Sequence, residues 1–399
     1  MKRTFTLALA GALAATALTT HAQAITVDGT LSASEISSTG YQLIGRYNQR
    51  HSFGDAGLLA FYATADATNV YFFLAGTLET DGATATLGQI RNSLQIYAAR
   101  PGVSAVPVGT ALPMPALSNP ITSFKLVSSK MELPGDFAIG VKGNGVAGQV
   151  QVDAVVYSAG NPATAITKNI NATGANVTTG APVTIGTAQA TGQYALFANA
   201  VVAFRNSSLL STNPGFASGG GAGSSGLEIS MSRASLGLPS TGGALQLFGL
   251  QNNADGDFFS SDIIPQNTGA APGADANGSL QHSPDFTAIP GRQVATLQVT
   301  ATGGTVLGTR AADDAALGLR LYPNPANGPA TLSYQAPTAA EVTVVLTDLL
   351  GRPVRVLDHG PKAAGSHLVN IDATGVAAGT YLVRVQVGEA RSVQKLVLL

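Results

Sequence analysis

The sequence predicts an all-β protein: a jelly-roll-like β-sandwich over residues 25–300, followed by a small Ig-like β-sandwich at the C-terminus. Three observations carry this. Short runs of β-branched and aromatic residues recur between clusters of Gly, Pro, Asn, Asp and Ser. No window sustains a 3.6-residue apolar stripe, and only 232–238 has room for a single helical turn. The 399 residues include 47 glycines and 45% hydrophobic residues but only 11% charged ones, against about 25% in an ordinary soluble protein. Low charge with high hydrophobicity is the reverse of the disorder signature and suits turn-rich β structure.

The same numbers exclude function classes. A formal net charge of -1 gives no electrostatic reason to bind nucleic acid or an anionic membrane surface. The chain has no cysteine, which rules out a disulfide framework, Cys-ligated zinc and a thiol nucleophile together.

At the start of the chain, Met1-Lys2-Arg3 is a basic n-region, 7–18 a short apolar core, and Ala22-Gln23-Ala24 an A-x-A cleavage site. Residues 1–24 therefore read as a signal peptide, with a mature chain beginning at Ile25. A membrane anchor would need about 20 apolar residues, and Thr19, Thr20, His21 and Gln23 interrupt first.

From 25 to 31 a short strand runs into an Asp28-Gly29 turn. The clearest hairpin follows: strand 58–64, turn 66–69, strand 70–74. Further strands are expected at 94–98, 150–157, 194–204, 227–231 and 245–250, each β-branched or aromatic and bounded by turn residues. Between them, 101–120 is rich in Pro, Val and Ala. The Thr/Ala/Gly/Asn-rich stretch 159–193 reads equally as loop or as extra strands. Residues 215–226, almost purely Gly, Ser and Ala, read as a flexible loop.

Candidate chemistry is sparse. Asn253-Ala254-Asp255-Gly256-Asp257, with Asp262 beyond, aligns to a calcium-loop pattern in which Gly256 takes the sharp turn. Asn253, Asp255, Asp257 and Asp262 are the candidate calcium ligands. The pattern departs at Gln251, which stands at the first ligand position, and at Asp262, where a longer Glu is usual. The alternative is a polar turn joining two strands. Residues 221–226 spell G-x-G-x-x-G, but a dinucleotide fingerprint must follow a strand and open a helix, and here a strand follows. His51 has Asp55 nearby in sequence and His282 has Asp285. Without a Gly-x-Ser-x-Gly elbow or a His-Glu-x-x-His pair, both histidines read as surface loop residues. Glu35, Glu79, Glu132 and Glu228 are the carboxylates free to meet in a cleft, and Glu228 reads as a polar position on a half-buried strand.

Anchor positions at 27–35, 62–72, Leu227-Glu228-Ile229 and Leu236-Gly237-Leu238 resemble sandwich modules related to carbohydrate-binding module family 9. In those modules a sugar lies between stacked tryptophans, and this chain has none. Tyr41, Tyr47, Tyr62, Tyr71 and Tyr97 are the rings that would have to take that part.

Residues 301–318, small and polar without strand pattern, read as an exposed linker. The last stretch, 319–399, holds about seven short strands. It opens on Tyr322-Pro323-Asn324-Pro325 and turns at Asp348, Gly351 and Val354. It then carries Gly379-x-Tyr381 and closes on Lys395-Leu396-Val397. These four marks, in this order, resemble the type A C-terminal sorting domain of proteins exported by the type IX secretion system of Bacteroidota. The resemblance implies delivery to the cell surface or medium via the periplasm, contact of 319–399 with the type IX translocon, and removal by a sortase-like peptidase. Arg352, Arg355, Lys362 and Lys395 are the candidate contacts with that machinery. The upstream domain is then cargo. It is expected to be a non-catalytic binding module, with glycan as the candidate ligand. A structural or adhesive surface protein is the alternative, and a hydrolase a third reading.

Overall fold

The computed structural model describes residues 24–399 apart from 48, 50, 80–91, 116–121, 145–148, 172–176, 179, 208, 267–278, 290–291, 308–316, 337–338, 350, 364 and 389. All but the last residue of the expected signal peptide lies outside this set, as does the middle of the expected linker.

The large domain begins with β1 (Gln42–Arg46), β2 (Gly57–Ala65), β3 (Asn69–Thr77), β4 (Asn92–Ala99), β5 (Phe137–Gly143), β6 (Gln149–Ser158), β7 (Thr164–Asn169) and β8 (Val177–Thr178). It continues with β9 (Val183–Thr184), β10 (Val201–Phe204), β11 (Gly226–Ser232), β12 (Gly242–Asn253), β13 (Phe258–Ile264), β14 (Gln281–His282), β15 (Ala295–Thr300) and β16 (Gly304–Leu307). The tail holds β17 (Arg320–Tyr322), β18 (Ala330–Ala336), β19 (Ala340–Thr347), β20 (Pro353–Lys362), β21 (Gly365–Ile371), β22 (Gly379–Val387) and β23 (Ala390–Leu398).

The large domain is built from two antiparallel sheets. One runs β1-β2-β3-β11-β10-β9, and the other β14-β13-β12-β4-β5-β6-β7, with β15 beside β12 and β16, and β8 beside β6. Between them lies the main core, with Phe61, Phe72, Leu74, Ile96, Ile139, Leu227, Ile229 and Leu247 among its members. This is the all-β sandwich that the alternation of apolar runs and turns predicts.

The outer faces of the two sheets are covered as well. Leu59, Tyr62 and Phe73 pack under Leu31, Tyr41 and Leu210. On the other sheet, Tyr97, Phe248 and Phe259 pack under Val106, Leu112, Phe124 and Phe286. All nine residues of β2 are therefore buried, and all eight of β4. Strands buried on both faces read as continuous apolar runs rather than alternating ones.

The two sheets are also tied at one edge. Gln42 of β1 donates from Nε2 to the Gly304 carbonyl (2.8 Å) and accepts from the Val306 amide at Oε1 (3.0 Å), so one side-chain amide takes the place of a strand neighbour for β16.

Several expectations are corrected. Residues 25–31 form no strand: Gly29, at φ 79°, turns the segment onto sheet one. The expected strand 194–204 is a 3-10 helix, Gly192–Phe197, followed by β10, and Asn199, at φ 61°, separates the two. The open reading of 159–193 resolves as strands, since β7, β8 and β9 lie there. The glycine-rich segment 215–226 is a hydrogen-bonded loop: Gly220 N bonds Gly215 O (2.9 Å) and Gly223 N bonds Leu31 O (2.7 Å). A Cβ on Gly220 would come within 2.5 Å of the Ala60 side chain, so glycine there permits close packing on β2. β16 lies inside the stretch expected to be linker.

The tail has its own core, formed by Leu317, Leu332, Tyr334, Val344, Leu346, Ile371, Val383, Val385, Leu396 and others. Its two sheets are β17-β18-β21 and β20-β19-β22-β23, and its seven strands match the expected count.

One buried cation fastens the large domain. Arg233, 4% exposed, donates to the carbonyls of Asp66 (3.0 Å), Ala301 (3.2 Å), Pro239 (3.3 Å) and Ser240 (3.3 Å). It joins the β2–β3 turn to the β15–β16 turn. Arg233→Ala leaves those acceptors buried without a donor and is expected to cost about 2–4 kcal/mol, read as a lower urea midpoint with unchanged m-value.

Candidate functional sites

The structure does not bring the four candidate calcium ligands together. The Asn253 carboxamide oxygen accepts from the amides of Asp257 (2.8 Å) and Phe258 (3.1 Å), closing the turn on itself. Ala254 and Asp255 turn their carbonyls to Lys142 Nζ (2.8 Å) and the Leu126 amide (2.9 Å). Gly256, at φ 85°, sits so close to the neighbouring loop that a Cβ would meet the Ser123 carbonyl at 2.5 Å. Asp257 points outward to His282 Nδ1 (2.9 Å). Asp262 is fully buried near the other end of β13. Among the described residues, no group of three or more His, Asp or Glu is placed to hold a metal ion.

The histidines take partners remote in sequence. His51 Nδ1 meets the Asp262 carboxylate, and its ring packs at 5.0 Å from that of Tyr47. It is a half-covered residue rather than the surface one expected. Asp262 also accepts from the Leu58 amide (2.8 Å). Gly57 makes room for this pair, because a Cβ there would lie 2.2 Å from both Asp262 Oδ1 and His51 Nδ1. Asp55 instead receives the Ser211 amide (2.9 Å) and hydroxyl (2.6 Å). Asp285 takes Lys130 Nζ (2.9 Å).

Glu228 is fully buried, where a half-buried strand position was expected. Its Oε2 accepts from the amides of Asp28 (2.9 Å) and Gly29 (2.8 Å), and its Oε1 from the Tyr41 hydroxyl (2.8 Å). Glu35 binds the same segment, accepting from the Thr26 amide (2.8 Å) and the Ser32 amide (3.0 Å). These carboxylates hold the N-terminal cover on sheet one. No sequence signal marks Glu228 for this role beyond its place in an apolar run.

Burial pushes the Glu228 carboxyl from 4.5 up to about 7, and outweighs the hydrogen bonds from Asp28, Gly29 and Tyr41 that favour its ionised form. Burial likewise raises Asp153 to about 6, against the pull of Lys142 and the donors Ser123 and Gln151.

The five tyrosines considered as a sugar platform are all buried: Tyr41, Tyr47, Tyr62, Tyr71 and Tyr97 are between 0% and 8% exposed. None offers a ring face to solvent.

In the tail, each sequence mark does a local structural job. Asn324 donates to the Lys395 carbonyl (2.6 Å) and accepts from the Val397 amide (2.9 Å). Next to it, Ala326 pairs with the Val397 carbonyl and the Leu399 amide, so the Tyr-Pro-Asn-Pro segment pins the terminal strand β23. Asp348 accepts from the Arg352 amide (2.9 Å) and Nε (2.6 Å). Gly351, at φ 81°, supplies the left-handed residue of that turn. The Tyr381 hydroxyl donates to the Ala377 carbonyl four residues upstream (2.8 Å), the manner of a tyrosine corner.

Three of the four basic residues expected to face the machinery are held within the chain. Arg352 pairs with Asp348, Arg355 bonds the Asp372 and Thr374 carbonyls, and Lys362 pairs with Asp358. Lys395 alone stands exposed with no ion pair among the described residues.

Two predictions follow from these contacts. A carboxyl whose pKa rises on folding stabilises fully below its unfolded value, and that contribution is lost as pH climbs through the folded one. Between pH 4.5 and 7.5 the native chain should therefore lose about 3 kcal/mol more stability than Glu228→Gln. Urea unfolding across this range checks it, and parallel curves would place the effect elsewhere. Asn324→Ala removes two bonds to β23 and should lower the tail's calorimetric transition by about 1–2 kcal/mol in stability, leaving the large domain's transition in place.

Comparison with known proteins bears on the tail. Among curated proteins no sequence matches the chain significantly. Among solved structures, dimeric latent PorU from Porphyromonas gingivalis aligns at 11% identity and TM-score 0.17, over 88% of this chain and 34% of its own. PorZ of the same organism, an essential bacterial surface component of its type IX secretion system, aligns at 13% identity and TM-score 0.17, over 90% of this chain and 51% of its own. The chain thus spans about a third and a half of those proteins' lengths. The family model for the secretion system C-terminal sorting domain matches residues 320–399. With the four marks in their places on the fold, residues 320–399 are a type IX secretion C-terminal sorting domain, which implies export to the cell surface or beyond.

Proposed function

We propose that this chain crosses the periplasm behind a cleaved signal peptide and is passed outward through its sorting domain. In this reading a sortase-like peptidase then removes that domain within 301–318. The upstream sandwich serves on the outside as a non-catalytic structural or adhesive module. The match of residues 320–399 to the sorting-domain family carries the delivery part of this reading.

The use made of the polar side chains supports the module part. Glu228 and Glu35 hold backbone amides, Asp262 holds His51 and Leu58, and Arg233 holds four carbonyls. Catalysis needs such groups aimed at a shared space where a substrate sits, and each is instead aimed at the chain itself. The buried tyrosines favour the structural or adhesive role over glycan binding, since stacking on a sugar needs an exposed ring face.

The test is a glycan array and a cell-adhesion assay with the purified chain from Ile25 onward, each with and without calcium. The expected outcome is adhesion without glycan selectivity and without calcium dependence. Selective glycan binding abolished by chelator would overturn this reading in favour of a calcium-dependent lectin-like module.

A further inference from the structure

Two buried carboxylates hold the N-terminal segment on sheet one without a cation beside them. Glu228, 0% exposed, accepts from the Asp28 and Gly29 amides, and Glu35, 4% exposed, from the Thr26 amide. Neither forms an ion pair among the described residues. Beyond them the segment is fastened through its backbone, where Leu31 bonds the Ser224 carbonyl (2.9 Å) and the Gly223 amide (2.7 Å). Residues 25–29 have less to hold them. Apart from the two carboxylates, the Gly226 amide bonds the Gly29 carbonyl (3.1 Å), and Ile25 and Val27 pack beside Tyr41, Tyr62 and Tyr71.

A cation stands one strand away. β10 and β11 pair with Ala203 opposite Glu228, and the Arg205 amide bonds the Gly226 carbonyl (3.0 Å). Phe204, Leu227 and Ile229 point into the core, so Glu228 and Arg205 share the outer face of the sheet. Diagonal neighbours of this kind lie about 7–8 Å apart, within reach of long side chains. Arg205 nonetheless forms no ion pair among the described residues, and its Nε is buried without a hydrogen-bond partner. Gly29 lies against both residues. Its amide donates to Glu228 (2.8 Å), and a Cβ on it would come within 2.9 Å of the Arg205 amide nitrogen and 3.2 Å of the Arg205 Cβ. The segment thus holds the place on Glu228 that the guanidinium is positioned to take.

We propose that residues 25–29 are a pH-gated strap, which lifts from sheet one when Glu228 ionises and lets that carboxylate pair with Arg205. The groups around Glu228 set the direction. Glu35, from the 3-10 helix Ala33–Glu35, and Asp28, on the strap, are acidic. Tyr41 donates its hydroxyl to Glu228, and the Tyr71 hydroxyl on β3 is engaged by Asp66 (2.7 Å). Arg205 on β10 is the basic member. Burial, with Glu35 adding to it, keeps the Glu228 carboxyl protonated up to about 7 while the strap is closed. With the strap lifted, Glu228 returns to the ordinary carboxylate range near 4.5. The closed state is therefore fully favoured below the lower value, and that preference is lost as pH climbs through the upper one.

The test is hydrogen exchange of the chain from Ile25 onward, read by mass spectrometry on peptides spanning 25–31 and corrected for the intrinsic pH dependence of amide exchange. Protection of these amides should fall about 70-fold from pH 5 to pH 8, with that of β4 unchanged. In Glu228→Gln the fall should vanish. Arg205→Gln removes the partner of the lifted state and leaves the closed contacts in place. Its protection at pH 8 should exceed the native chain's about threefold, which keeps the test decisive if Glu228→Gln does not fold. Protection of 25–31 that is independent of pH in the native chain would overturn the strap. An equal loss in β4 would overturn it as well, because the opening would then be global. Native protection of Arg205→Gln at pH 8 would overturn the exchange of partners on which the proposal rests.

Discussion

Burial of both faces of the central strands is the constraint on which the large domain depends. Sheet one sends Phe61, Phe72 and Leu74 into the space between the sheets, and Leu59, Tyr62 and Phe73 to its outer side. The second set would be exposed if irregular chain did not cover it. With so few charged residues the sequence has little to place on an open sheet face, and covering segments take over that task. Their own backbone must then be satisfied in a dry setting, where an unpaired amide or carbonyl is costly. Buried charges meet that need. Glu228 receives the amides of Asp28 and Gly29, Arg233 holds four turn carbonyls, and Lys142 caps Ala254. Each fastens a loop, so these groups belong to the stability of the covers.

That arrangement explains what was legible in the sequence. The strands at 58–64, 70–74, 94–98, 150–157, 227–231 and 245–250 are apolar runs with turn residues at their ends, and they stand where those runs lie. β5 hides because Lys142 and two glycines interrupt it, and β7 because Thr164, Thr167, Lys168 and Asn169 give it a polar composition. The segment 194–204 reads as one strand because its side chains are right for one, while Asn199 in a left-handed conformation is a backbone event that composition does not announce.

The candidate sites were less legible for a related reason. His51 and Asp55 are four residues apart, but the packing of β13, in the second sheet, against β1 and β2 carries His51 to Asp262, and Asp55 turns to Ser211. Such pairings depend on the stacking of strands distant in the chain. Tyr41, Tyr62 and Tyr97 do not read as core residues because irregular chain buries them, such as Leu31 and Leu210 over Tyr62 and Phe124 over Tyr97, and such chain has no period to detect. The tail was read from sequence because its marks are local: an Asp-capped turn, a left-handed glycine and a tyrosine corner each close within a few residues.

The pin at Asn324 links those marks to the surface. Side chains on a strand alternate between faces, so a slip of β23 by one residue would send Lys395 inward and Leu396 outward. Asn324 bonds the Lys395 carbonyl and the Val397 amide together, a two-point contact that fits one register only. Ala326 repeats the restraint two residues on. The terminal strand, which has a neighbour in its sheet on one side alone, is thereby held in the register that keeps leucines in the core and the Lys395 side chain beside Leu382 and Arg384. An opening Tyr-Pro-Asn-Pro and a closing Lys-Leu-Val are thus one physical unit, the first part fixing the register of the last strand.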